Sequence, residues 1–465
     1  MKLSKVEITN FRCYESIALE LRPDVNLIVG VNGAGKTTIL DAIALALYDI
    51  VAANGAGDRS GQKAGLAPTD IRIVPGAGED SAGRKDFVQI RAAVQDFYPL
   101  ADYPARTADD RPVALEWNNY IQYAPPRGFR YGRGDEKGSV RIAEYYKALW
   151  QEMRKADQKA LIPLPVVAFY RAERFVKRMP DLGHVLRMKF AREDAFKSAL
   201  DAAVGYQAFF QWLYLRENNE VRDRLKHRDE PDFEYPDLRA VRLAIARVID
   251  RVTSIYFDGT PPSLKIALSD PGNGESVLEL EQLSEGYRSL LVLVLDFARR
   301  LAQAHPNWPN PLEAPGILLI DEIELHLHPK WQQTVIPNLR AAFPNTQIIA
   351  ATHSPEVLTT VRRENILLLG SDHAIERLPA DVGTFGAESS RVLEEVFGVH
   401  SRPQHTNVET VGNLQEYLIL VEQQKQDSDR GHELRSVLDA ALGSSDPDLI
   451  AADVRISQLK AARGK

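Results

Sequence analysis

Residues 25–37 read VNLIVGVNGAGKT, and this stretch decides the fold. Val25 to Val29 is apolar enough to predict a buried strand, and Thr37 to Tyr48 has the apolar spacing of a helix. Between them, residues 30–37 match G-x-x-x-x-G-K-[ST] in the strand–loop–helix context that this motif requires. The glycines let backbone N–H groups turn towards a phosphate, while Lys36 supplies positive charge and Thr37 a hydroxyl for Mg²⁺. The stretch therefore predicts a phosphate-binding loop.

A second motif lies at residues 317–322, ILLIDE. An apolar run typical of a buried strand delivers two carboxylates at its carboxyl end, where ligands bind in open α/β sheets. In combination with the phosphate loop, we expect Asp321 to hold Mg²⁺ and Glu322 to polarise an attacking water.

Two weaker motifs acquire meaning only beside these. Residues 283–289, LSEGYRS, predict a helix start at which Ser284 is the cap and Gly286 permits close backbone approach. A cap hydroxyl, free N–H groups and a helix dipole suit a terminal phosphate. His353 follows a predicted strand, Gln347–Ala351, and could hydrogen-bond a γ-phosphate. Taken alone, these would be an ordinary helix cap and a surface-loop histidine.

In this order the four motifs resemble those of ABC-type ATPases of the SMC/RecF/OLD branch. Three segments are similar to a narrower bacterial group, the stand-alone ATPases that include the ATPase subunits (PtuA-like) of Septu-type and retron-associated anti-phage systems. They are residues 8–12 (ITNFR), 321–329 (DEIELHLHP) and 351–355 (ATHSP). Residues 165–174, 383–386 and 392–398 also look like that group.

The resemblance implies an ATPase whose heads dimerise and sandwich ATP with Mg²⁺. The catalytic residues that it implies are Glu322 and His353, and the metal ligands are Thr37 and Asp321. Ser284 and Gly286 would face the site of the other subunit. The nucleotide-binding residues that it implies are Gly30, Asn32, Gly33, Ala34, Gly35, Lys36, Thr37, Thr38, Arg12, Ser284 and Gly286.

Two departures from the family pattern stand out. Glu285 occupies a position where transporter-type sequences carry Gly, although SMC-like relatives also vary there. Residues 70–72 lie where a glutamine loop is expected, yet they offer no Gln. The glutamine-loop residue therefore has no assignment from sequence.

The fold class that we predict is α/β: a P-loop ATPase head with a mixed sheet, an inserted helical subdomain and a helical C-terminal extension. The head is expected at residues 1–178 and 262–372, the insertion at 179–261, and the extension at 373–465. The other patterned segments predict further strands and helices, whereas residues 97–140 show no clear period and residues 52–65 and 76–83 are glycine-rich loops. These predicted segments are strands at Lys2–Ile8, Phe87–Val94, Leu164–Tyr170 and Leu264–Leu268, and helices around Phe190–Leu213, Arg239–Val252, Val392–Val399 and Leu414–Gln424.

Length and composition restrict the class of protein that the chain can belong to. The chain has 465 residues, 44% of them hydrophobic, a formal net charge of −7 and a single cysteine, Cys13. One cysteine excludes an internal disulfide framework, and mild acidity disfavours a uniformly basic nucleic-acid coat. No apolar run approaches membrane-span length, so we expect a cytoplasmic protein without a membrane partner.

Two other sets of residues suggest rival sites. His326, His328 and His353 could be imagined as zinc ligands, but the His-x-His spacing after Asp-Glu fits the resembling family instead. Asp446 and Asp448 form a nuclease-like Asp-x-Asp, but no Glu-bearing strand precedes them, so a nuclease domain is not expected.

Three functional hypotheses follow. The leading one is a Mg²⁺-dependent ATPase subunit of an anti-phage complex, a homodimer or higher oligomer that controls a separate effector nuclease encoded nearby, with DNA or RNA as a further ligand. The second is a RecF-like or SMC-like repair ATPase that clamps DNA, supported by basic residues at 171–191 and 222–228. The third is an ATP-bound scaffold with little turnover.

Overall fold

The structure is a computed structural model of the chain. The residues that it describes are 1–56, 65–73, 85–95, 115–123, 128–132, 136–155, 162–172, 182, 185–200, 205–230, 232–270, 272, 274–306, 308–370, 372–400, 402 and 408–463. The glycine-rich loop predicted at 76–83 and most of the one predicted at 52–65 lie outside them. The chain divides into two compact units, Met1–Ala387 and Glu388–Lys465.

The described strands all belong to the first unit. In chain order they are β1 Lys2–Phe11, β2 Tyr14–Glu20, β3 Val25–Gly30, β4 Phe87–Gln95, β5 Leu115–Tyr123, β6 Phe129–Gly132, β7 Val166–Tyr170, β8 Val252–Asp258, β9 Ser263–Asp270, β10 Gly274–Glu279, β11 Gly316–Ile320, β12 Thr346–Thr352, β13 Ile366–Leu369 and β14 Ile375–Glu376.

The described helices are distributed over both units. In chain order they are α1 Lys36–Val51, α2 Glu136–Lys155, α3 Gly205–Arg224, α4 Pro236–Val248, α5 Glu285–Ala304, α6 Pro329–Gln332, α7 Val335–Ala342, α8 Pro355–Leu358, α9 Ser389–Phe397, α10 Glu409–Glu422, α11 Asp429–Leu442 and α12 Pro447–Arg463.

A six-stranded sheet organises the first unit, in the order β14-β13-β3-β12-β11-β7. All of its neighbouring strands are parallel except the β13–β14 pair. Every residue of β3, β7, β11 and β12 is buried, as expected for parallel strands covered on both faces. The four apolar runs that predicted these strands are therefore confirmed.

Two antiparallel sheets complete the first unit. The five-stranded sheet has the order β2-β1-β4-β5-β6, and the three-stranded sheet has the order β10-β9-β8. β1 and β4 alternate buried and exposed side chains, which is why they were predictable. The predicted strand at Leu264–Leu268 forms as β9, but it pairs in the small sheet and not with the parallel strands.

Helix α1 packs between the two larger sheets, with contacts to β3, β11 and β12 on one side and to β1 and β4 on the other. The Trp117 indole of β5 donates to the carbonyl of Ala46 at 2.8 Å. Residues 36–54 are long and apolar enough to cross a membrane by composition, which the sequence prediction of no such run did not anticipate. Since 67% of that window is buried inside the protein, it has the environment of a core helix.

The predicted helical insertion is helical only in part. α3 and α4 form, and α4 ends at Val248, four residues before β8 begins. The helical spacing read from Phe190 to Leu200 was wrong, because residues 185–187 and 192–196 are short 3-10 turns. Tertiary contacts explain the difference: Phe196 is fully buried, and Ala199 offers its carbonyl to the N–H of Phe169 on edge strand β7 at 2.7 Å.

The second unit, taken by itself, contains α9 to α12. Leu414, Leu434, Leu438 and Leu449 form its apolar core. Asp446 and Asp448, the nuclease-like pair in the sequence, both accept from the Arg402 guanidinium at 2.7 Å. These contacts give the two carboxylates a structural role.

His305, just after α5, is fully buried. Its Nε2 accepts the N–H of Leu164 at 2.9 Å, so Nδ1 carries the proton and donates to the carbonyl of Leu301 at 2.8 Å. Both ring nitrogens are thus satisfied in the neutral form. Burial lowers the pKa of His305 to about 4.

This arrangement predicts acid sensitivity of the first unit. The unfolded chain binds the His305 proton near pH 6.5, whereas the folded chain binds it only near pH 4. Stability is therefore complete above pH 6.5 and is lost as pH falls towards 4, by up to about 3 kcal/mol. Urea unfolding of wild type and His305→Gln between pH 7 and 4 measures this change in the free energy of unfolding. His305→Gln should flatten the pH dependence, and exposed His400→Gln should not. An unchanged slope in His305→Gln would contradict the account.

Candidate nucleotide site

The predicted phosphate loop connects β3 to α1. Gly33 and Gly35 have φ angles of +84° and +95°, in the left-handed region that favours glycine. Gly35 is also crowded, since a Cβ there would lie 2.4 Å from the Tyr14 hydroxyl oxygen. A Cβ at Gly30 would lie 2.9 Å from the carbonyl oxygen of Leu369. The glycines at 33, 35 and 30 are therefore required by backbone conformation and close approach.

Lys36 begins α1 and lies inside the loop. Its ammonium donates to the carbonyls of Gly30 at 3.0 Å and Val31 at 3.1 Å, and only 6% of the residue is exposed. Burial lowers the pKa of Lys36, and the largest opposing effect comes from the Glu324 carboxylate. A positive charge is thus held where the loop could wrap a phosphate.

Asp321 and Thr37 meet from different elements. Asp321 follows β11 and is buried, whereas Thr37 lies in the first turn of α1. The Thr37 hydroxyl donates to the Asp321 carboxylate at 2.9 Å. A hydroxyl and a carboxylate are the hard oxygen donors that Mg²⁺ prefers. The donor set therefore fits this metal, and these two residues could hold it.

Glu322 has an unusual backbone. Its φ is +45°, which is rare for a residue with a side chain and is enriched at functional sites. The turn is tied to the next strand, because the N–H of Ile323 donates to the carbonyl of Ala351 at 3.1 Å. The segment after β11 is thereby fixed against β12.

His353, directly after β12, lies beside Lys36. Its Nδ1 is 3.4 Å from the Lys36 ammonium nitrogen. An ammonium can only donate, so Nδ1 accepts and Nε2 carries the proton of a neutral ring. Burial, followed by the charge of Lys36, lowers the pKa of His353 and favours that neutral form. His353 can therefore offer an N–H donor to a ligand near Lys36.

Glu324 is a site residue that the motif reading missed. Its carboxylate accepts the backbone N–H of His353 and contributes the largest opposing effect to the lowered pKa values of Lys36 and His353. Its other oxygen is buried without a hydrogen-bond partner among the described residues. The available signal was a second carboxylate two residues after Glu322, in the segment that follows β11.

Ser284 and Gly286 contact a different part of the site. Ser284 caps α5 as predicted, and its hydroxyl oxygen accepts the N–H of Tyr287 at 3.4 Å. A Cβ on Gly286 would lie 2.1 Å from the carbonyl oxygen of His326, so α5 touches the backbone that follows Glu322. The Ser284 contact lies within α5, whereas the Gly286 contact is with a residue after β11.

Arg12 is held by carboxylates. Its guanidinium pairs with Asp41 of α1 at 2.5 Å and with Asp70 at 2.9 Å. Asp41 also pairs with Arg171, just after β7, at 2.6 Å. The segment that lacks a glutamine, residues 70–72, thus contributes an anchor for Arg12. Phosphate contact by Arg12 stays a prediction.

The remaining loop residues differ in exposure. Asn32 and Gly33 are exposed at the loop tip, whereas Ala34 is buried and Thr38 is half-buried. The structure thus brings Lys36, Thr37, Asp321, Glu322 and His353 into one neighbourhood. Gly286 and Arg12 contact its periphery, and Ser284 caps the helix that contains Gly286.

Comparisons with known proteins agree with this geometry. Residues 5–219 match a family model described as "AAA domain", and residues 169–359 match one described as "AAA domain, putative AbiEii toxin, Type IV TA system". The "Retron Ec83 probable ATPase" of Escherichia coli is 27% identical over 98% of this chain and 87% of its own length.

Two further similarities are more limited, one in the length covered and one in sequence identity. The "Septu protein PtuA" of Bacillus mycoides is 34% identical over 28% of this chain and 18% of its own length. A solved SMC head, bound to the C-terminal winged-helix domain of ScpA, superposes with a TM-score of 0.43 at 16% identity, covering 81% of this chain and 97% of that one.

The fold and the site define a P-loop ATPase. Within that class, the chain is similar to a retron probable ATPase and to a Septu protein PtuA. It is therefore an ATPase, and nucleotide binding belongs to the class.

Proposed function

We propose that this chain is the Mg²⁺-dependent, ATP-hydrolysing subunit of an anti-phage defence complex. Its ATP-bound heads would pair and control a separate effector nuclease. The observation that carries the proposal is the convergence of Lys36, the Thr37–Asp321 pair and His353 at adjacent strand ends.

Binding of ATP would rest mainly on the loop. Residues 30–38 offer backbone N–H groups, and Lys36 offers its ammonium, to the β- and γ-phosphates. Thr37 and Asp321 would hold Mg²⁺, which when bound offsets the negative charge of phosphate oxygens. We propose Arg12, at the periphery of the site, as a further phosphate contact.

Hydrolysis would rest on two groups at neighbouring strand ends. Glu322 would accept a hydrogen bond from the attacking water and orient it towards the γ-phosphorus. Neutral His353 would donate its Nε2 proton in a hydrogen bond to the γ-phosphate. Loss of that phosphate on hydrolysis would remove the acceptor, so His353 would sense the state of the nucleotide.

A second copy of the chain would complete the site. Ser284 caps the N-terminus of α5 through the N–H of Tyr287, and Gly286 closely approaches the backbone of His326 in the segment after Glu322. We therefore propose that they face the phosphates bound by the partner head. The head would comprise residues 1–178 and 262–372, the insertion 179–261, and the extension 373–465.

The defence role is supported by the similarity to retron and Septu ATPases. In this role the partner is a nuclease encoded nearby, and DNA or RNA is a further ligand. The proposed location is the cytoplasm, since the apolar helix α1 is two-thirds buried in the protein core.

Two substitutions separate binding from turnover. Lys36→Ala removes a charged donor and should weaken ATP binding about 10–100-fold. Glu322→Gln keeps the shape but accepts less strongly from water, and should lower turnover about 100-fold while ATP stays bound. Calorimetry and phosphate release measure the two effects, and Lys330→Ala, an exposed lysine, is the matched control. A wild-type protein that neither binds nor hydrolyses ATP would contradict the proposal.

Pairing of heads can be tested on the slow variant. Glu322→Gln with ATP and Mg²⁺ should sediment as a dimer or larger assembly, and without ATP as a smaller species. Adding Ser284→Arg should block the ATP-dependent shift yet leave ATP binding to each chain within about 3-fold, because a bulky cation occupies the facing surface. Ser16→Arg, on the exposed face of β2, is the control. An unchanged size with saturating ATP would contradict pairing.

A further inference from the structure

The carbonyl oxygen of Ala34, within the phosphate loop, is held by two side chains. The Tyr14 hydroxyl donates to it at 2.9 Å, and His373 Nδ1 lies 3.1 Å from it. A carbonyl can only accept, so Nδ1 of His373 carries a proton. Tyr14 begins β2 and His373 lies in the turn between β13 and β14. The Ala34–Gly35 peptide group is thus hydrogen-bonded by residues from two separate elements of the fold.

Because the peptide group is planar, the direction of the Ala34 carbonyl also sets the direction of the Gly35 N–H. In a trans peptide the C=O and the following N–H point in opposite directions. Holding the carbonyl of Ala34 towards Tyr14 and His373 therefore points the N–H of Gly35 away from them. Anion-binding loops of this type work through such N–H groups.

The two gripping residues also support each other. Their rings lie edge to face, with centroids 5.5 Å apart and an interplanar angle of 70°. Tyr14 is 1% exposed, and burial raises its pKa, so the hydroxyl keeps the proton that it donates. The space for this ring exists only because residue 35 is glycine.

His373 is held in an unusual conformation for this contact. Its φ is +62°, and its N–H donates to the carbonyl of Gly370 at 3.2 Å. Gly370 in turn donates to the carbonyl of Ala374 at 3.0 Å, which closes a tight turn. Because Leu369 pairs with Gly30, that turn lies beside the phosphate loop. A strained residue that is kept next to a binding loop points to function.

We infer that Tyr14 and His373 are positioning residues that orient the Ala34–Gly35 peptide for phosphate binding. The inference rests on the proposed function of the loop as the ATP site, and it names residues that lie outside the phosphate-loop motif. Their removal should weaken every ligand that uses the β-phosphate, so ADP and ATP should be affected alike.

The experiment compares variants that differ in one donor. Tyr14→Phe removes the hydroxyl and keeps the ring. His373→Gly tolerates the positive φ without a donor, whereas His373→Asn tolerates it and places an amide N–H where Nδ1 stood. Tyr146→Phe is the matched control, since this buried tyrosine contacts the sulfur of Met1 at 3.5 Å.

Equilibrium binding of ADP and ATP, together with thermal unfolding of the free protein, gives the readout. Tyr14→Phe and His373→Gly should each weaken both nucleotides about 3–10-fold. His373→Asn should stay within about 2-fold of wild type, and Tyr146→Phe should change melting without changing affinity.

The outcomes separate this inference from the proposal beneath it. Folded Tyr14→Phe and His373→Gly with wild-type affinity for ADP and ATP would overturn the positioning role, while wild type and Lys36→Ala still differ. An affinity loss in His373→Asn equal to that in His373→Gly would also overturn it. Wild type that binds no nucleotide would overturn the proposed function and this inference with it.

Discussion

Parallel pairing of β3, β12, β11 and β7 is the constraint on which the site depends. The register sets Val29 beside Thr352 and Ile320 beside both Ala350 and Tyr170, so the strands end at one edge of the sheet. Lys36, His353 and Asp321 are distant in sequence, yet each follows one of these ends. His353 Nδ1 lies 3.4 Å from the Lys36 ammonium, and Asp321 accepts from the hydroxyl of Thr37, the residue after Lys36, at 2.9 Å.

A buried charge network connects these parallel strands to α5. Asp296 accepts from Arg299, Arg300 and the Tyr170 hydroxyl, and the three charged residues are at most 2% exposed. Removing one partner of a buried pair typically costs about 3–5 kcal/mol. The carbonyl of Tyr170 also accepts the N–H of Asp321 at 2.8 Å. The helix capped by Ser284 is thereby fixed to the strand edge that carries the acidic residues.

Local patterns predicted the apolar strands, the phosphate loop and the Ser284 cap, because each depends on neighbouring residues. Residues 190–200 were misread, since Phe196 and Ala199 are placed by contacts with other elements. β2, β5 and α2 were missed because their composition is mixed. Tyr14 and His373 contact Ala34 although they are separated from it by 20 and 339 positions in the sequence. A short sequence motif cannot reveal contacts between residues so far apart in the chain.

The most direct test of the central claim is hydrogen–deuterium exchange on Glu322→Gln, with and without ATP and Mg²⁺. One ligand should protect three separate peptides together, covering residues 28–38, 319–325 and 350–355, because all three border the same phosphates. Simultaneous slowing in all three, reversed by adding Lys36→Ala, is the predicted result. Protection confined to a different region, or no change at residues 28–38 under saturating ATP, would contradict a nucleotide site at this sheet edge.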